Sequence, residues 1–548
     1  MNGEMELLGN VFERSVMNFP DKLALKKGDT TYTYRQLKQE VIKLKNYLLE
    51  LGLQKGDKFS VMGENSPEWA ISYLAIVRAG MVCVPVDRLS QDAEIIHILT
   101  RSESKGIIVS ETYLEKINEL KGEIKSIKHI IPMSNIKKIA PKKDHPVEGI
   151  DPKGLAVLIF TSGTTGTSKA VMLSHYNIMC NMKSVERFIE INEKDNLCSI
   201  IPMHHTFEGT AGFLFPLFRG AAIYYPSSLK PTDILATMKE SKVTCLIAVP
   251  LLFEKFVGAV YRKVASASLP TKIMFNAISG IGSVVPFLRK PLFARVRREM
   301  GLGHLRIACA GGAALTEKVA KALQLLAIPI LQGYGLTESS PVLSVSPLEK
   351  PKVKSVGVAI PDVEIKIHEP DENGIGEIIA RGPNIMLGYY KNEAATKEVL
   401  RGGWLYTGDL GYMDNEGYIY ITGRKKSLIV TQTGKNIQPE EIEEKLIKSE
   451  WVKEVLVIPR IDQETKKEQI CALIFPDYER LEQHSQEKGI EMSELDVENI
   501  YKELVREVNE DLPIYKKVTT FEIRDEEFPK TSTQKIKRHL FVERGVRV

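Results

Sequence analysis

The sequence predicts an α/β fold: a large N-terminal domain of stacked βα units with a β-rich subdomain, followed by a small α+β C-terminal domain. Short apolar runs alternate with amphipathic helical patterns as far as about residue 330, which is typical of βα units with a mainly parallel sheet. From residue 354 the predicted strands are shorter and are separated by turn sequences. The 548 residues exceed what one hydrophobic core holds, so at least two domains are expected.

The N-terminal elements are predicted from the spacing of apolar residues. Residues 34–52 have the pattern of an amphipathic helix. The apolar runs and helical stretches after it are residues 58–62, 67–79, 82–86, 95–100, 106–109, 155–160, 198–202, 221–224, 245–249, 305–308 and 328–331. The Lys-rich segment 115–145 is expected to be a solvated surface excursion. Hairpins are predicted at the turn sequences 371–374 and 414–417.

The domain boundary is placed at the basic stretch 424–426. The pattern beyond it is helix 438–449, strand 453–459, strand 469–475, helix 494–510 and a terminal strand. A segment of about 120 residues has a usual domain size. We therefore expect one domain over residues 1–425 and a second over residues 427–548, with Lys426 between them.

The composition excludes several classes of protein. With 43% hydrophobic and 26% charged residues, the chain has the composition of an ordinary soluble globular protein. The net charge of +4 gives no support for nucleic-acid binding. The six cysteines show no CxxC or Cys/His spacing and the N-terminus has no signal-peptide pattern, so reduced thiols and a cytoplasmic location are expected. No apolar run approaches the ~18 residues of a membrane span.

The most informative loop of the chain follows the apolar strand 155–160, where small and hydroxylated residues lead to a lysine. Glycines let the backbone approach a ligand, and N–H groups, hydroxyls and an ammonium supply donors, so the loop can wrap a polyphosphate. The common P-loop is excluded, because it needs Ser or Thr after the lysine and Ala170 stands there. The loop residues are Thr161, Ser162, Gly163, Thr164, Thr165, Gly166, Thr167, Ser168 and Lys169.

Further segments follow this loop in a fixed order. They are the GYGLTE sequence within residues 332–338, and residues 406–411, 423–426 and 529–536. Together with the loop, they resemble the adenylate-forming superfamily of acyl-CoA synthetases, peptide-synthetase adenylation domains and luciferases. The resemblance extends from about residue 10 to about residue 540.

The resemblance implies an ATP site with a metal ion. Lys169 and the loop hydroxyls are expected to grip the β- and γ-phosphates. Glu338, which follows Thr337, is expected to contact Mg²⁺, and Thr161 is assigned to the same metal site. Tyr334 is expected to stack on adenine. The segment that lines the base and acyl pocket in the family corresponds to Gly311, Gly312 and Ala313, and Gly333 and Gly335 are assigned to the nucleotide site with Tyr334.

The resemblance places the ribose and the adenylation step on two further segments. Asp409, in a Thr-Gly-Asp sequence interpreted as a tight turn, is expected to accept both ribose hydroxyls, with Arg424 as its companion. Lys535 is expected to be the adenylation lysine, although Gln534 stands where the family usually has Gly. The neighbouring cations that are interpreted as surface charges are Lys530, Lys537 and Arg538.

The position of Lys535 implies a mobile C-terminal lid that closes over the nucleotide before the reaction. Lys426 corresponds to the family's hinge, and the loop of Gly434, Lys435 and Asn436 to the one that lines the approach of the coenzyme A thiol. Acid and ATP would give acyl-AMP and pyrophosphate, after which coenzyme A would displace AMP. No side-chain nucleophile is required.

The nature of the acid is inferred from residues 204–209, which most resemble the long-chain fatty acyl-CoA synthetases. In the superfamily the position of His205 lies beside the bound carboxylate or acyl chain. A zinc site is excluded, because the HExxH order is absent. The apolar stretches 210–213 and 249–252 suit a medium- or long-chain fatty acid, although ordinary core packing explains them equally well.

Several alternatives remain open. The acceptor could be the phosphopantetheine of a carrier protein, and a non-catalytic lipid- or nucleotide-binding protein is a different class altogether. The basic segment 287–300 is compatible with weak peripheral membrane contact or with an ordinary solvated helix. Acyl chain length and oligomeric state are not predicted.

Overall fold

Two mainly parallel sheets form the centre of the N-terminal part of the computed structural model. The model describes residues 6–140, 143–161, 168–313, 315–430, 436–461, 468–489, 491–531 and 535–542. In the first sheet the inner strands pair in parallel, and antiparallel strands form both edges. Its nine strands, in spatial order, are Val358–Ala359, Val342–Val345, Ile330–Gly335, Ile307–Ala310, Cys245–Ala248, Asn196–Cys198, Ala222–Tyr224, Leu23–Lys27 and Thr30–Thr33.

The second sheet has seven strands and is antiparallel at one edge. Its strands, in spatial order, are Gly388–Tyr389, Lys169–Ser174, Leu155–Thr161, Val82–Val86, Lys58–Met62, Gly106–Val109 and His129–Pro132. The hairpin of Leu155–Thr161 and Lys169–Ser174 brings Thr161 opposite Lys169. Thr161 and Lys169, the first and last residues of the phosphate-loop sequence, are therefore neighbours at one end of this hairpin.

Helices cover both sheets. The helix Tyr34–Glu50 begins with a capping box at Thr33, and its apolar residues Leu37, Val41 and Leu44 are buried. Residues Glu208–Leu214 form a π-helical segment. The α-helices of this part are Leu8–Asn18, Tyr34–Glu50, Pro67–Arg78, Asp92–Ser102, Glu111–Leu120, His175–Glu186, Phe215–Phe218, Pro231–Glu240, Pro250–Ala265, Leu269–Val284, Arg289–Leu292, Ala294–Glu299, Glu317–Leu325 and Glu393–Val399.

A smaller antiparallel sheet forms the β-rich subdomain. Asp371 accepts hydrogen bonds from the backbone N–H groups of Asn373 and Ile375, and Asp414 does the same for its own turn, which confirms the two predicted hairpins. The strands are Glu364–His368, Gly376–Arg381, Leu400–Arg401, Trp404–Met413 and Ile419–Arg424.

In the described residues of the C-terminal part, three strands and three helices enclose a separate core. It starts with a small ladder between Ile429–Val430 and Asn436–Ile437. The strands of its sheet, in spatial order, are Val452–Ile461, Glu468–Pro476 and Thr520–Ile523. The helices are Pro439–Leu446, Tyr478–Lys488 and Glu494–Glu510.

The predicted α/β fold is thus confirmed, with two local corrections. The segment 115–145 is not only a surface excursion, because it contains His129–Pro132 at the edge of the second sheet. The Thr-Gly-Asp sequence is not a tight turn between elements, because Asp409 lies within the strand Trp404–Met413 and pairs with Arg424. Among the described residues, no helix combines the length and the apolar character needed to cross a bilayer.

Candidate active site

A cavity of about 790 Å³ lies where strand ends of both large sheets, the β-rich subdomain and the C-terminal part meet. Such crevices at strand ends are the usual ligand sites of α/β proteins. Many of the residues predicted from the sequence line it together. They are Thr161, Lys169, His205, Gly311, Gly312, Gly333, Tyr334, Gly335, Thr337, Glu338, Arg424, Lys426 and Lys535. Ala313 and Asp409 do not line the cavity directly.

One end of the cavity combines a cation, an aromatic ring and a carboxylate. The Lys169 ammonium stands 4.9 Å from the centre of the Tyr389 ring, and the Tyr389 hydroxyl donates to Glu338 Oε1 at 2.8 Å. Burial, followed by the negative charge of Glu338, raises the pKa of Tyr389, so the hydroxyl stays protonated as a donor. Tyr389 therefore links the two predicted phosphate-site residues, and sequence analysis missed it.

The start of the phosphate loop is described only in part. Thr161 Oγ1 donates to the backbone oxygen of Lys169 at 3.4 Å, across the hairpin. The predicted loop residues Ser162, Gly163, Thr164, Thr165 and Gly166 lie outside the described residues.

The residues present fit a magnesium ion held mainly by a ligand's own oxygens. The described part of the chain contains no cluster of three or more His, Cys, Asp or Glu side chains that could hold a metal alone. The bond from Tyr389 uses Glu338 Oε1 and leaves Oε2 as a hard oxygen ligand. Mg²⁺ is commonly bound by one or two carboxylates together with phosphate oxygens and water.

Tyr334, Asp409 and Arg424 form a bonded group beside the cavity. The Tyr334 hydroxyl donates to Asp409 Oδ2 at 2.7 Å, and Arg424 Nε donates to Asp409 Oδ1 at 2.8 Å. The Asp409 carboxylate raises the pKa of Arg424, so that the guanidinium stays charged. Each carboxylate oxygen of Asp409 has one partner here and keeps capacity for a further hydrogen bond, although the side chain is buried behind the cavity wall.

Glu377 supports this group, and no sequence pattern predicted it. Its Oε1 accepts a hydrogen bond from the backbone N–H of Gly408 at 3.1 Å, and its Oε2 accepts one from Lys425 Nζ at 2.8 Å. The side chain therefore ties the strand that carries Asp409 to the residue after Arg424. A carboxylate on a neighbouring strand that is distant in the sequence has no local sequence pattern.

Two of the predicted glycines are required by close packing. A Cβ atom at Gly335 would overlap the backbone oxygen of Pro341, and one at Gly311 would lie 2.8 Å from the Phe207 ring. Both positions line the cavity. Their role in the fold is therefore to let neighbouring segments approach one another at the cavity wall.

Lys535 reaches the cavity from a hairpin of the C-terminal part. The backbone N–H of Thr531 donates to Lys535 O at 2.8 Å, and Lys530 pairs with Ile536. Two ion pairs fix this hairpin, one to the strand Val452–Ile461 and one to the helix Pro439–Leu446. Lys530 Nζ binds Glu454, and Arg538 donates to both carboxylate oxygens of Glu443 at 2.6 and 2.9 Å.

These ion pairs correct one interpretation. Lys530 and Arg538 are not surface charges, because their side chains are largely shielded and each is bonded to a carboxylate. Arg538 also donates to the backbone oxygen of Val457 at 2.6 Å. Burial raises the pKa of Glu443, while the Arg538 guanidinium opposes that rise. Together the two pairs position the loop that presents Lys535.

Lys535 faces a histidine pair on the N-terminal part. Burial, and then the positive charge of Arg424, lowers the pKa of Lys535, although part of its side chain remains in contact with solvent. Burial, and then the neighbouring His204, lowers the pKa of His205 well below its usual value; Lys535 adds to this effect and Asp87 opposes it. His205 is therefore neutral at the cavity wall. The rings of His204 and His205 are 4.2 Å apart.

Glu208 lies behind this pair, fully buried at the start of the π-helical segment. Burial raises the pKa of Glu208 to about 8, and the Ser199 hydroxyl donates to its Oε1 at 2.5 Å. The predicted acyl-site stretch 210–213 packs in the core, where the rings of Phe213 and Trp69 form an edge contact. None of these four residues is in the described cavity lining. Of residues 249–252, Val249 lines the cavity.

The remaining predicted residues lie at or beyond the domain junction. Lys426 follows the strand Ile419–Arg424, and its Nζ is 3.9 Å from Glu398 Oε1. Gly434 and Lys435 lie outside the described residues, and of Asn436 only the backbone position in its short strand is described. The six cysteines are free thiols, with pKa values raised mainly by burial. They have no features of nucleophiles.

Comparison with known proteins gives a consistent result. A family model described as "AMP-binding enzyme" matches residues 12–390, and one described as "AMP-binding enzyme C-terminal domain" matches residues 426–544. The long-chain-fatty-acid–CoA ligase ACSBG2 of Gallus gallus is 31% identical over 482 residues, or 79% of this chain. The chain spans 63% of the length of that protein.

Two further relatives are similar over more of their own length. The long-chain-fatty-acid–CoA ligase of Escherichia coli O157:H7 is 27% identical over 498 residues, which is 82% of each chain. The solved structure of the ATP-bound RpMatB-BxBclM chimera B1 is 25% identical, with a TM-score of 0.79 over 97% of this chain and 98% of that one. Because the first family model covers well over half of the sequence, the chain belongs to the AMP-binding enzyme family of adenylate-forming enzymes.

Proposed function

We propose that the protein is an ATP-dependent, AMP-forming ligase that activates a medium- or long-chain fatty acid and transfers its acyl group to coenzyme A. The observation that carries the proposal is the convergence of Lys169, Glu338 and Arg424 with Lys535 of the C-terminal part on one cavity. In the activation step a carboxylate must attack a phosphorus that is surrounded by negative oxygens. Cations fixed at that place before the reaction lower its barrier.

Each polar group has a proposed task. Lys169 and the loop 161–166 bind the leaving pyrophosphate, and Lys535 binds oxygens at the α-phosphate. Glu338, with Thr161 nearby, holds Mg²⁺, which neutralises phosphate charge when it is bound. Asp409 accepts the ribose hydroxyls.

The second half-reaction is proposed to follow a rotation of the C-terminal domain. The domains are residues 1–425 and 427–548, and Lys426 is the hinge. In the present arrangement Lys535 faces the cavity, which suits activation. Rotation would withdraw Lys535 and bring the loop 434–436 to the thiol of coenzyme A.

The acid is proposed to be a fatty acid because part of the cavity wall is apolar. Ile201, Phe207 and Val249 line it together with the neutral His205. Each CH₂ group of an acyl chain that leaves water contributes ~0.8 kcal/mol. The names of the chicken and Escherichia coli relatives agree with this substrate class.

The test is a product balance. Purified protein is incubated with palmitate, ATP, Mg²⁺ and coenzyme A, and AMP, pyrophosphate and acyl-CoA should form in equal amounts. ADP with orthophosphate would contradict the proposal. A panel of acids from four to eighteen carbons, scored by pyrophosphate release, then defines the acyl chain.

Two controls separate the alternatives. Lys535→Ala should lose acyl-AMP formation and still bind ATP. If the protein only binds nucleotide without catalysis, neither the wild type nor the variant should show turnover. Replacement of coenzyme A by a phosphopantetheinylated carrier protein should give no faster acyl transfer. Transfer to the carrier alone would assign the protein to the acyl-AMP ligases.

A further inference from the structure

An exposed apolar surface lies on one side of the N-terminal part. It consists of large side chains on the helix Leu269–Val284 and on the turn after it, and in that helix only Gly282 is buried. Soluble proteins rarely leave such a group of apolar side chains in water unless it contacts something. The members of this apolar surface, with their exposed fractions, are Leu269 (69%), Ile273 (60%), Met274 (57%), Ile281 (46%), Val284 (80%) and Phe287 (79%).

The helix has two apolar faces, of which one is already covered. Phe275 and Ile278 pack against the core, and the Phe275 ring meets the edge of Phe293 at 5.9 Å. Leu269, Ile273 and Ile281 recur at intervals of four or eight residues and therefore share the other face. Packing of this helix against the core therefore does not use the second face.

Cations are concentrated in the stretch of chain that carries the apolar surface. Residues 255–298 contain nine Lys or Arg and no Asp or Glu, whereas the whole chain has a net charge of only +4. The rest of the chain is therefore net negative. Two of the nine cations serve the fold, because Arg289 donates to Gly282 O at 2.7 Å and Arg297 donates to Leu305 O at 2.9 Å.

Several of the other cations of this stretch have no tight role in the fold. Lys263 and Arg295 share Glu299, and both remain strongly exposed. Lys272, Lys290 and Arg298 form no salt bridge to any part of the chain that the structure describes. This combination of exposed apolar side chains and unopposed cations matches one kind of partner, a lipid surface with negative headgroups.

We propose that the apolar surface, together with the cations of residues 255–298, is a docking site for a bilayer that contains anionic lipids. Val284 and Phe287 would enter the boundary between headgroups and acyl chains, and Lys272, Lys290 and Arg298 would lie at the level of the phosphates. Docking is independent of catalysis, and it is measurable without ATP.

Docking has a consequence for the cavity. Val249 lines the cavity, and the helix Pro250–Ala265 begins at the next residue and leads to the apolar surface. Sixteen residues of helix span about 24 Å. The bilayer would therefore lie about one small-domain diameter from the cavity. If the function proposed above is correct, this short distance favours uptake of an acid that partitions into lipid.

The test is co-sedimentation of the full chain with vesicles. Vesicles of phosphatidylcholine and phosphatidylglycerol should bind the protein, and vesicles of phosphatidylcholine alone should bind it at least tenfold more weakly. Binding to the mixed vesicles should fall at about 1 M salt, where the Debye length is about 3 Å. Equal binding to both vesicle types, or to neither, would overturn the proposal.

Matched variants locate the site. Lys272→Glu/Lys290→Glu/Arg298→Glu should weaken binding about 100-fold, since each cation near an anionic surface contributes about 1 kcal/mol. The same change of charge elsewhere, in Lys194→Glu/Lys488→Glu/Lys502→Glu, should leave binding within about twofold of the wild type. Equal losses in both triple variants would show that net charge alone is sensed and would overturn the assignment of this surface.

The apolar contribution is tested in the same way. Val284→Ser/Phe287→Ser should weaken binding at least about tenfold, because each side chain contributes roughly 1.5–3 kcal/mol when fully buried. The control is Met17→Ser/Ile514→Ser, at positions that are 71% and 88% exposed. A dimer in light scattering that dissociates in Val284→Ser/Phe287→Ser, without vesicle binding by the wild type, would assign the surface to a second copy of the chain and refute the proposal.

Discussion

Tyr389→Phe isolates one hydrogen bond in the phosphate end of the cavity. The Tyr389 hydroxyl donates to Glu338 Oε1 at 2.8 Å, and the ring lies 4.9 Å from Lys169 Nζ. Phenylalanine keeps the ring and its contact with the ammonium, and deletes only the donor. The activation rate of the variant therefore measures how much the activation step depends on a fixed position of the Glu338 carboxylate.

The size of the effect follows from burial and charge. A hydrogen bond to a charged group contributes about 1.5–3 kcal/mol, and each 1.36 kcal/mol corresponds to about tenfold in rate. Tyr389 is 6% exposed, so water replaces the lost donor poorly. We expect kcat/KM for activation to fall between about 10- and 100-fold. Tyr389→Ala also removes the cation–π contact and should lose about a further tenfold.

The assay is acid-dependent pyrophosphate release at several Mg²⁺ concentrations. If Glu338 holds the metal, Tyr389→Phe should also raise the Mg²⁺ concentration needed for half-maximal rate. Tyr390→Phe is the matched control, because its neighbouring hydroxyl donates to the exposed Glu103 at 2.9 Å. A rate of pyrophosphate release for Tyr389→Phe within twofold of that for Tyr390→Phe at all Mg²⁺ concentrations would refute this role of the Tyr389 hydroxyl.

Three more outcomes are expected. The pKa of Lys535 is lowered and its ammonium is the active form, so the activation rate should decline at alkaline pH below the range of an ordinary lysine; Lys535→Arg, measured by pyrophosphate release, should be slower and should lack this decline. The pKa of Glu208 is raised to about 8, so the folded chain holds a proton that the unfolded chain releases near pH 4.5. Stability should therefore fall by about 1.4 kcal/mol per pH unit between about pH 5 and pH 8, and urea unfolding of Glu208→Gln should show a weaker pH dependence. Arg538→Gln leaves Glu443 buried without its partner and should cost about 3–5 kcal/mol in the C-terminal domain, seen as a lower melting temperature with slower activation. Recovery of stability in Glu443→Gln/Arg538→Gln would support the ion-pair explanation, and its absence would count against it.

The fold was predictable where a local pattern determines the structure. The strands at 58–62, 82–86 and 106–109 have the predicted bounds, because a buried parallel strand needs a continuous apolar run. The helix at 494–510 was also predicted at both ends, and Ser493 caps it. The helix Tyr478–Lys488 was missed, because it is mostly polar and offers little periodic signal.

The site was predictable only where a motif marks it. Glu338, Lys169 and Lys535 line one cavity although they lie far apart in the sequence. Tyr389 and Glu377 were missed because each acts through a contact across the fold. Their partners are set by strand pairing, and no spacing along the chain reports it.

The interpretation of Lys530 and Arg538 as surface charges failed for a related reason. A cation near a chain terminus is usually solvated, and the sequence does not reveal a carboxylate nearby in space. Glu454 and Glu443 are separated from these cations by 76 and 95 residues. Only the return of the chain onto the strand Val452–Ile461 brings them together.

The two ion pairs hold the hairpin that carries Lys535 against the strand Val452–Ile461 and the helix Pro439–Leu446. The partners in these ion pairs all belong to the C-terminal part, so neither pair would have to break in the rotation proposed above. Under that proposal, withdrawal of the Lys535 charge from the cavity would need movement only at the junction near Lys426. An engineered crosslink between the two parts should accordingly stop the alternation between steps while leaving the geometry around the lysine intact.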